Sequence, residues 1–239
     1  GTDPDCDRMG AAVKGRNGEF ITLTGNQLGC IMLEYRLRSL KSRGLLPKNG
    51  VVIKTIVSTE LARAIANAYG VQLVEVLTGF KFIGEKIKEY ERTNEHTFIF
   101  GFEESFGYLE GTHARDKDAV VASMLICEMV AFYKAEGKSL IDVLDGLYKK
   151  YGYYFCSQKS FTCEGESGMN KIKGIMTELR TNPPTEINGH KVVKRDDYDT
   201  SVSYDTVNGV ENKITLPKSN VLCYYMEDGS SLIVRPSGT

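Results

Sequence analysis

Three aspartates at alternate positions, Asp3, Asp5 and Asp7, stand in the run DPDCDR, with Pro4 after the first and Arg8 directly after the last. Carboxylates this dense repel one another. A hard cation bound through their oxygens would remove the repulsion, and Mg2+ takes few protein carboxylates together with a substrate phosphate in an octahedral shell. A calcium EF-hand also begins D-x-D-x-D, but it needs Gly at its sixth position and Glu at its twelfth. Counted from Asp3, those places hold Arg8 and Lys14. The alternative is a solvated acidic turn capped by Arg8.

Three further stretches carry chemistry-bearing side chains. In GFEESFG, Glu103, Glu104 and Ser105 follow an apolar run. They fall where a strand ends, the edge at which open α/β sheets bind ligands. Carboxylates and a hydroxyl there can read sugar hydroxyls; an ordinary polar loop is the alternative. In THARDKDAV, His113 and Lys117 are four apart, and Lys117 lies just ahead of an apolar helical run. The positive end of that helix should lower the lysine pKa and fit it for proton transfer. Alternatively, Arg115 and Lys117 pair with Asp116, Asp118 or Glu110. In RPSGT, Arg235 offers a bidentate fork, Ser237 and Thr239 offer hydroxyls, and Gly238 permits a tight turn of backbone N–H groups. That set suits a phosphate; a plain turn would look the same.

The elements that must position these residues follow from periodicity. RNGE between two strand-like runs predicts a hairpin. Thr24 and Gln27 have capping-box spacing ahead of an apolar stripe at Leu28, Ile31, Met32 and Tyr35. GVVIKTIV, VQLVEVL and HTFIFGFE read as buried strands. STELARAIANAYG between the first two reads as a helix with Ser58 as N-cap and Gly70 past its end, and GEKIKEYER as a short polar helix. Residues 118–133 are apolar nearly all round and predict a buried helix; residues 139–151 predict an amphipathic one. Beyond Tyr154, a helix over SGMNKIKGIMTELR ends at NPP, and strands follow in HKVVKRDDY, NKITL, NVLCYYM and SLIVR. The fold class is α/β: a mixed, mostly parallel layered α/β domain, then a smaller α+β domain, with an incomplete strand/helix segment at the N-terminus. The predicted divisions are 1–43, 44–152 and 153–239.

Composition narrows the function classes. The 239 residues are 41% hydrophobic and 26% charged, with a net charge of −1. That balance argues against a nucleic-acid partner, which calls for a basic surface. The longest apolar run, AVVASMLICEMVAF, is too short for a membrane span and contains Glu128. No secretory signal is read. The six cysteines form no CxxC pair, which suits reduced, buried thiols in a cytoplasmic protein.

Taken together and in order, DPDCDR, GFEESFGY and RPSGT resemble the magnesium, sugar-binding and phosphate-binding loops of the α-D-phosphohexomutases. TGFKFIGEK and RDKDAV resemble stretches of that family's third domain. The resemblance implies Mg2+ on Asp3, Asp5 and Asp7, and Arg8 on the substrate or the transferring phosphoryl group. It places Thr78, Glu103, Ser105 and Lys117 on the sugar phosphate, Lys117 or His113 in proton transfer, and Arg235, Ser237, Gly238 and Thr239 on the phosphate that is not transferred. EESFG with Gly107 is closer to phosphoglucomutases than to the dual-specificity type, which carries His at that place; phosphomannomutase specificity is the alternative. The family's reaction passes through a phosphoserine and glucose 1,6-bisphosphate. Its serine loop resembles TASHNP, and no such stretch occurs in this sequence. The chain is therefore expected to be a fragment, from the end of domain 2 through most of domain 4, that lacks N-terminal domains of the same protein. It is expected to be inactive alone and to bind Mg2+ weakly. Two other classes remain: a non-catalytic sugar-phosphate module, and a D-x-D phosphatase, whose motif should end an apolar strand although only Gly1 and Thr2 precede Asp3.

Overall fold

The turn at Asn17-Gly18 folds the chain back in the computed structural model, which describes residues 1–236. The flanking runs pair antiparallel as β1 (Ala12–Lys14) and β2 (Phe20–Thr22). Helix α1 (Gly25–Ser42) starts at the capping box: Thr24 Oγ1 accepts from Gln27 N, and Gln27 Oε1 accepts from Thr24 N. Leu28, Ile31, Met32 and Tyr35 are all buried.

Three parallel strands make the sheet, β3 (Gly50–Thr55), β4 (Gln72–Val76) and β5 (Thr97–Phe102), in the order β4-β3-β5. The helices between them are α2 (Leu61–Ala68) and α3 (Phe80–Thr93). β6 (Tyr108–Glu110) closes the edge antiparallel to β5; at three residues it is too short to show a period. Helices α4 (Ala119–Ala135) and α5 (Leu140–Tyr151) follow. Successive residues of β3 face opposite layers. Val52 joins a core shared by α1, α2, α4 and α5, while Val51 and Ile53 pack with Phe80, Ile83 and Ile87 of α3. The result is a helix–sheet–helix sandwich, the layered α/β class read from the sequence. α1 shares its core with residues 52–147.

Several local readings are corrected. Ser58 does not cap α2. Its hydroxyl bonds Thr55 Oγ1 at 2.8 Å, and Thr59 Oγ1 accepts from Leu61 N where the helix begins. α3 is neither short nor wholly polar: it runs for 14 residues and buries Phe80, Ile83, Ile87 and Tyr90. α4 is not buried all round. Ala119, Ala122, Leu125, Met129 and Tyr133 face the core, but Val120 and Met124 are 59% and 68% exposed. Cys30 and Cys223 are buried; Cys6, Cys127 and Cys156 are exposed, and none of the six cysteines is in a disulfide.

The chain folds as two compact units, Gly1–Cys156 and Ser157–Thr239. The second unit is α6 (Gly165–Thr181) and an antiparallel sheet of β7 (Glu186–Ile187), β8 (His190–Asp197), β9 (Val202–Asp205), β10 (Val210–Lys213), β11 (Leu222–Met226) and β12 (Ser231–Val234). Their order is β10-β9-β8-β11-β12, with β7 also on β8. Met176 of α6 packs on Val192, Leu222, Tyr224 and Met226. Among the described residues no helix is long and apolar enough to cross a membrane.

Gly25 opens α1 against the loop after β5, where an added Cβ would lie 2.0 Å from Glu104 O. Gly25→Ala should therefore destabilise the first unit by about 1–3 kcal/mol, the usual range for overpacking. Gly146, on the solvent side of α5, has nothing within 4 Å of such a Cβ. Gly146→Ala should stabilise by up to about 1 kcal/mol through helix propensity. Urea unfolding of both variants measures the contrast.

Candidate functional site

The acidic loop is held by its own backbone before any ligand is considered. Asp3 Oδ1 accepts from Asp7 N at 3.2 Å and Arg8 N at 3.0 Å. The Arg8 N–H is the main reason the Asp3 carboxyl lies below the usual carboxylate range. Cys6, at φ 59°, turns the chain between Asp5 and Asp7. One oxygen from each of Asp3, Asp5 and Asp7 then lies within 4.8 Å of the others. Hard oxygen donors at this spacing fit a small divalent cation.

This loop meets the one after β5. Arg8 and Gly107 form an antiparallel bridge, and Met9 N donates to Phe106 O at 3.1 Å. Glu103, 4% exposed, accepts from Gly79 N at 3.1 Å, while its own N–H donates to Gly107 O at 2.8 Å. Its carboxylate thus serves the start of α3, whose Gly79 N-cap has no side-chain bond of its own. Burial, then the Glu104 charge, raises the Glu103 pKa; Lys117, Gly79 N–H and Arg8 oppose the rise without cancelling it. Glu104 Oε2 accepts from Thr55 Oγ1 at 3.2 Å. Ser105 is half-buried beside it, and Thr78 is half-buried directly before Gly79.

Lys117 joins the two loops. Its Nζ lies 2.7 Å from Asp7 Oδ2 and 3.3 Å from Asp116 Oδ1, with the side chain 13% exposed. The lowered pKa expected from the helix end is overturned. Burial does favour the neutral amine, but the Asp7 and Asp116 carboxylates outweigh it and hold the pKa above the ordinary lysine value. Gly107 makes room for this contact, since a Cβ there would stand 2.8 Å from Lys117 Cδ and 3.1 Å from Glu103 Oε2.

Other sequence candidates lie differently. His113 Nε2 is 2.9 Å from Asp118 Oδ2, and Asp118 caps α4 by accepting from Val120 N and Val121 N. Arg115 pairs with Glu91, and Glu110 with Arg36. Arg8 is half-exposed, with Nε 4.0 Å from Asp7. Arg235, exposed just after β12, belongs to the second unit. Ser237, Gly238 and Thr239 lie outside the described residues. Sequence reasoning passed over Lys54, Thr55 and Asn26. The available signal was a lysine inside a fully apolar strand run, which demands buried partners.

A family model described as phosphoglucomutase/phosphomannomutase, alpha/beta/alpha domain III, matches residues 24–151. Curated phosphoglucomutases of Staphylococcus epidermidis and Staphylococcus aureus are 39% and 40% identical to the chain over 239 and 238 residues. Each match covers 100% of this chain and 42% of the relative, so the chain spans less than half of their length. The open form of parafusin, a phosphoglucomutase from Paramecium, is similar in fold, with a TM-score of 0.63 at 22% identity over 100% of this chain and 37% of that one.

Glu103 generates a pH test. Its folded pKa is raised above the ordinary glutamate value of 4.5. As pH climbs through 4.5 the unfolded chain releases this proton first, so folding stability falls until the folded carboxyl also ionises. Glu103→Gln removes that loss. The stability of E103Q relative to the parent should therefore be more favourable at about pH 7 than at about pH 4, read by thermal unfolding at both.

Proposed function

Since this chain belongs to the phosphoglucomutase/phosphomannomutase family, we propose that the whole protein interconverts hexose 1-phosphate and hexose 6-phosphate. A phosphoserine gives its phosphoryl group to the sugar phosphate, the glucose 1,6-bisphosphate formed turns over, and the other phosphoryl group returns to the serine. That serine would come from N-terminal domains of the same protein, because no TASHNP-like stretch occurs in this sequence. The observation that carries the reading is the joining of the acidic loop to the loop after β5, through the Arg8–Gly107 bridge and the Lys117–Asp7 pair.

In this reading Asp3, Asp5 and Asp7 would hold Mg2+, which supplies charge neutralisation for the transferring phosphoryl oxygens when bound. Arg8 offers its guanidinium to the same phosphoryl group. Glu103 and Ser105 read sugar hydroxyls, with Thr78 beside them. Lys117 grips the sugar phosphate as a cation, the role favoured by carboxylate partners that hold its pKa above the ordinary lysine value. Proton transfer falls to Lys117 or His113, whose Nε2 lies beside the Asp118 cap. Arg235, with Ser237, Gly238 and Thr239, would hold the phosphate that is not transferred. Gly107 supports glucose over mannose phosphates, because the dual-specificity type carries His at that place.

The test uses the 239-residue chain. Calorimetry should show one weakly bound divalent cation, lost in Asp5→Asn. Glucose 1-phosphate should bind, with affinity reduced about fivefold or more in Ser105→Ala through loss of one hydrogen bond. A coupled assay with glucose 1-phosphate, Mg2+ and glucose 1,6-bisphosphate should give no turnover. Cation binding indifferent to D5N, or turnover well above blank, would overturn the reading.

A further inference from the structure

Lys54 is a charged residue with no access to water. It sits in β3, where all six residues are buried, and its own side chain is 0% exposed. Its ammonium has four partners: Glu75 Oε1 at 2.7 Å, Glu60 Oε1 at 2.8 Å, Ser58 O at 3.0 Å and Thr55 O at 3.4 Å. Glu75 is its register partner on β4. Arg63 lies 2.6 Å from each of Glu60 and Glu75, so two cations share two anions. Such a cluster, closed on itself, holds whatever backbone it also binds. Here that backbone is the loop between β3 and α2.

The loop leads to the candidate site. Thr55 follows Lys54 directly and is fully buried. Its hydroxyl donates to Glu104 Oε2 at 3.2 Å, leaving the 2.8 Å contact with Ser58 Oγ to be donated by the serine. Asn26 Oδ1 accepts from Thr59 N at 3.0 Å and ties the other end of the loop to α1. Glu104 is thereby held from below, and it is the residue between Glu103 and Ser105.

We propose that Lys54 is a positioning residue: by gripping the β3–α2 loop it sets the Thr55 hydroxyl against Glu104, and so fixes the backbone that presents Glu103 and Ser105 to a sugar phosphate. The last clause rests on the functional reading above; the anchoring itself does not. Lys54 touches no ligand, and Glu104 acts as the anchor of the loop.

The test compares Lys54→Met, Thr55→Val and the double variant in the full chain. K54M keeps length and apolar bulk and leaves Glu60 and Glu75 paired with Arg63. T55V keeps volume and removes only the hydroxyl, so it decides the matter should K54M fail to fold. Amide hydrogen exchange over residues 103–107, relative to α5, should rise about fivefold or more in each single variant, the scale of one lost hydrogen bond. The double variant should be no worse than K54M within about twofold, since coupled sites are not additive. Glucose 1-phosphate affinity should fall in step, with Mn2+ binding unchanged. A K54M chain that melts earlier but exchanges normally over residues 103–107, a T55V chain indistinguishable from the parent, or multiplicative effects in the double would each overturn the proposal. A parent chain that binds no glucose 1-phosphate would refute the functional reading, and the exchange data would still decide this one.

Discussion

The ammonium of Lys117, just ahead of α4, and the carboxylate of Asp7, in the N-terminal acidic loop, are brought to 2.7 Å by the fold of the first unit. The arrangement of both loops depends on that contact. Asp3, Asp5, Asp7, Glu103 and Glu104 concentrate negative charge at one edge of the fold, and Arg8 and Lys117 are the cations set among them. Partly withdrawn from water, the pair attracts more strongly than a surface pair would, but it also bears a desolvation cost. The geometry has to be good for the balance to favour it. The backbone N–H groups of Asp7 and Arg8 on Asp3 provide part of that geometry, and Gly107, without a Cβ, provides the rest.

Sheet topology explains why these groups meet at all. Three parallel strands release the chain at the same edge, so Thr55, Thr78 and Glu103 emerge together at the ends of β3, β4 and β5. The antiparallel return through β6 makes the Glu103 loop the tip of a hairpin, and Arg8 bridges that tip. Polar groups that would be costly to bury are then satisfied by one another. Glu103 receives the Gly79 N–H, Glu104 receives Thr55, and Glu34 receives the hydroxyls of Tyr69 and Tyr151.

Legibility in the sequence follows the range of the interaction. The capping box of α1, the parallel strands and the amphipathic α5 were readable because each signal is complete within a dozen or so residues. The exposed face of α4 was not, because hydropathy records apolar side chains without recording what covers them: Val120 and Met124 have the composition of a core and face water. β6 and β9 are too short to show a period. At the site, the spacing of Asp3, Asp5 and Asp7 was visible because they lie within one turn. The Lys117–Asp7 pair was not, and a pKa argued from the nearby helix end had its sign reversed by carboxylates, one of them remote in sequence. The ammonium of Lys54 likewise depends on Glu75, which only the register of β3 with β4 places beside it.

The contact between Gly25 and Glu104 bears on how such a sequence can change over generations. With the helix start pressed on the carbonyl of residue 104, any side chain at position 25 would have to displace the loop backbone. Drift that enlarged the first turn of α1 would be felt first as a loss of folding stability. Change in this loop is therefore less costly at the side chains of Ser105, half-buried, and Phe106, exposed, than in the main chain that carries them.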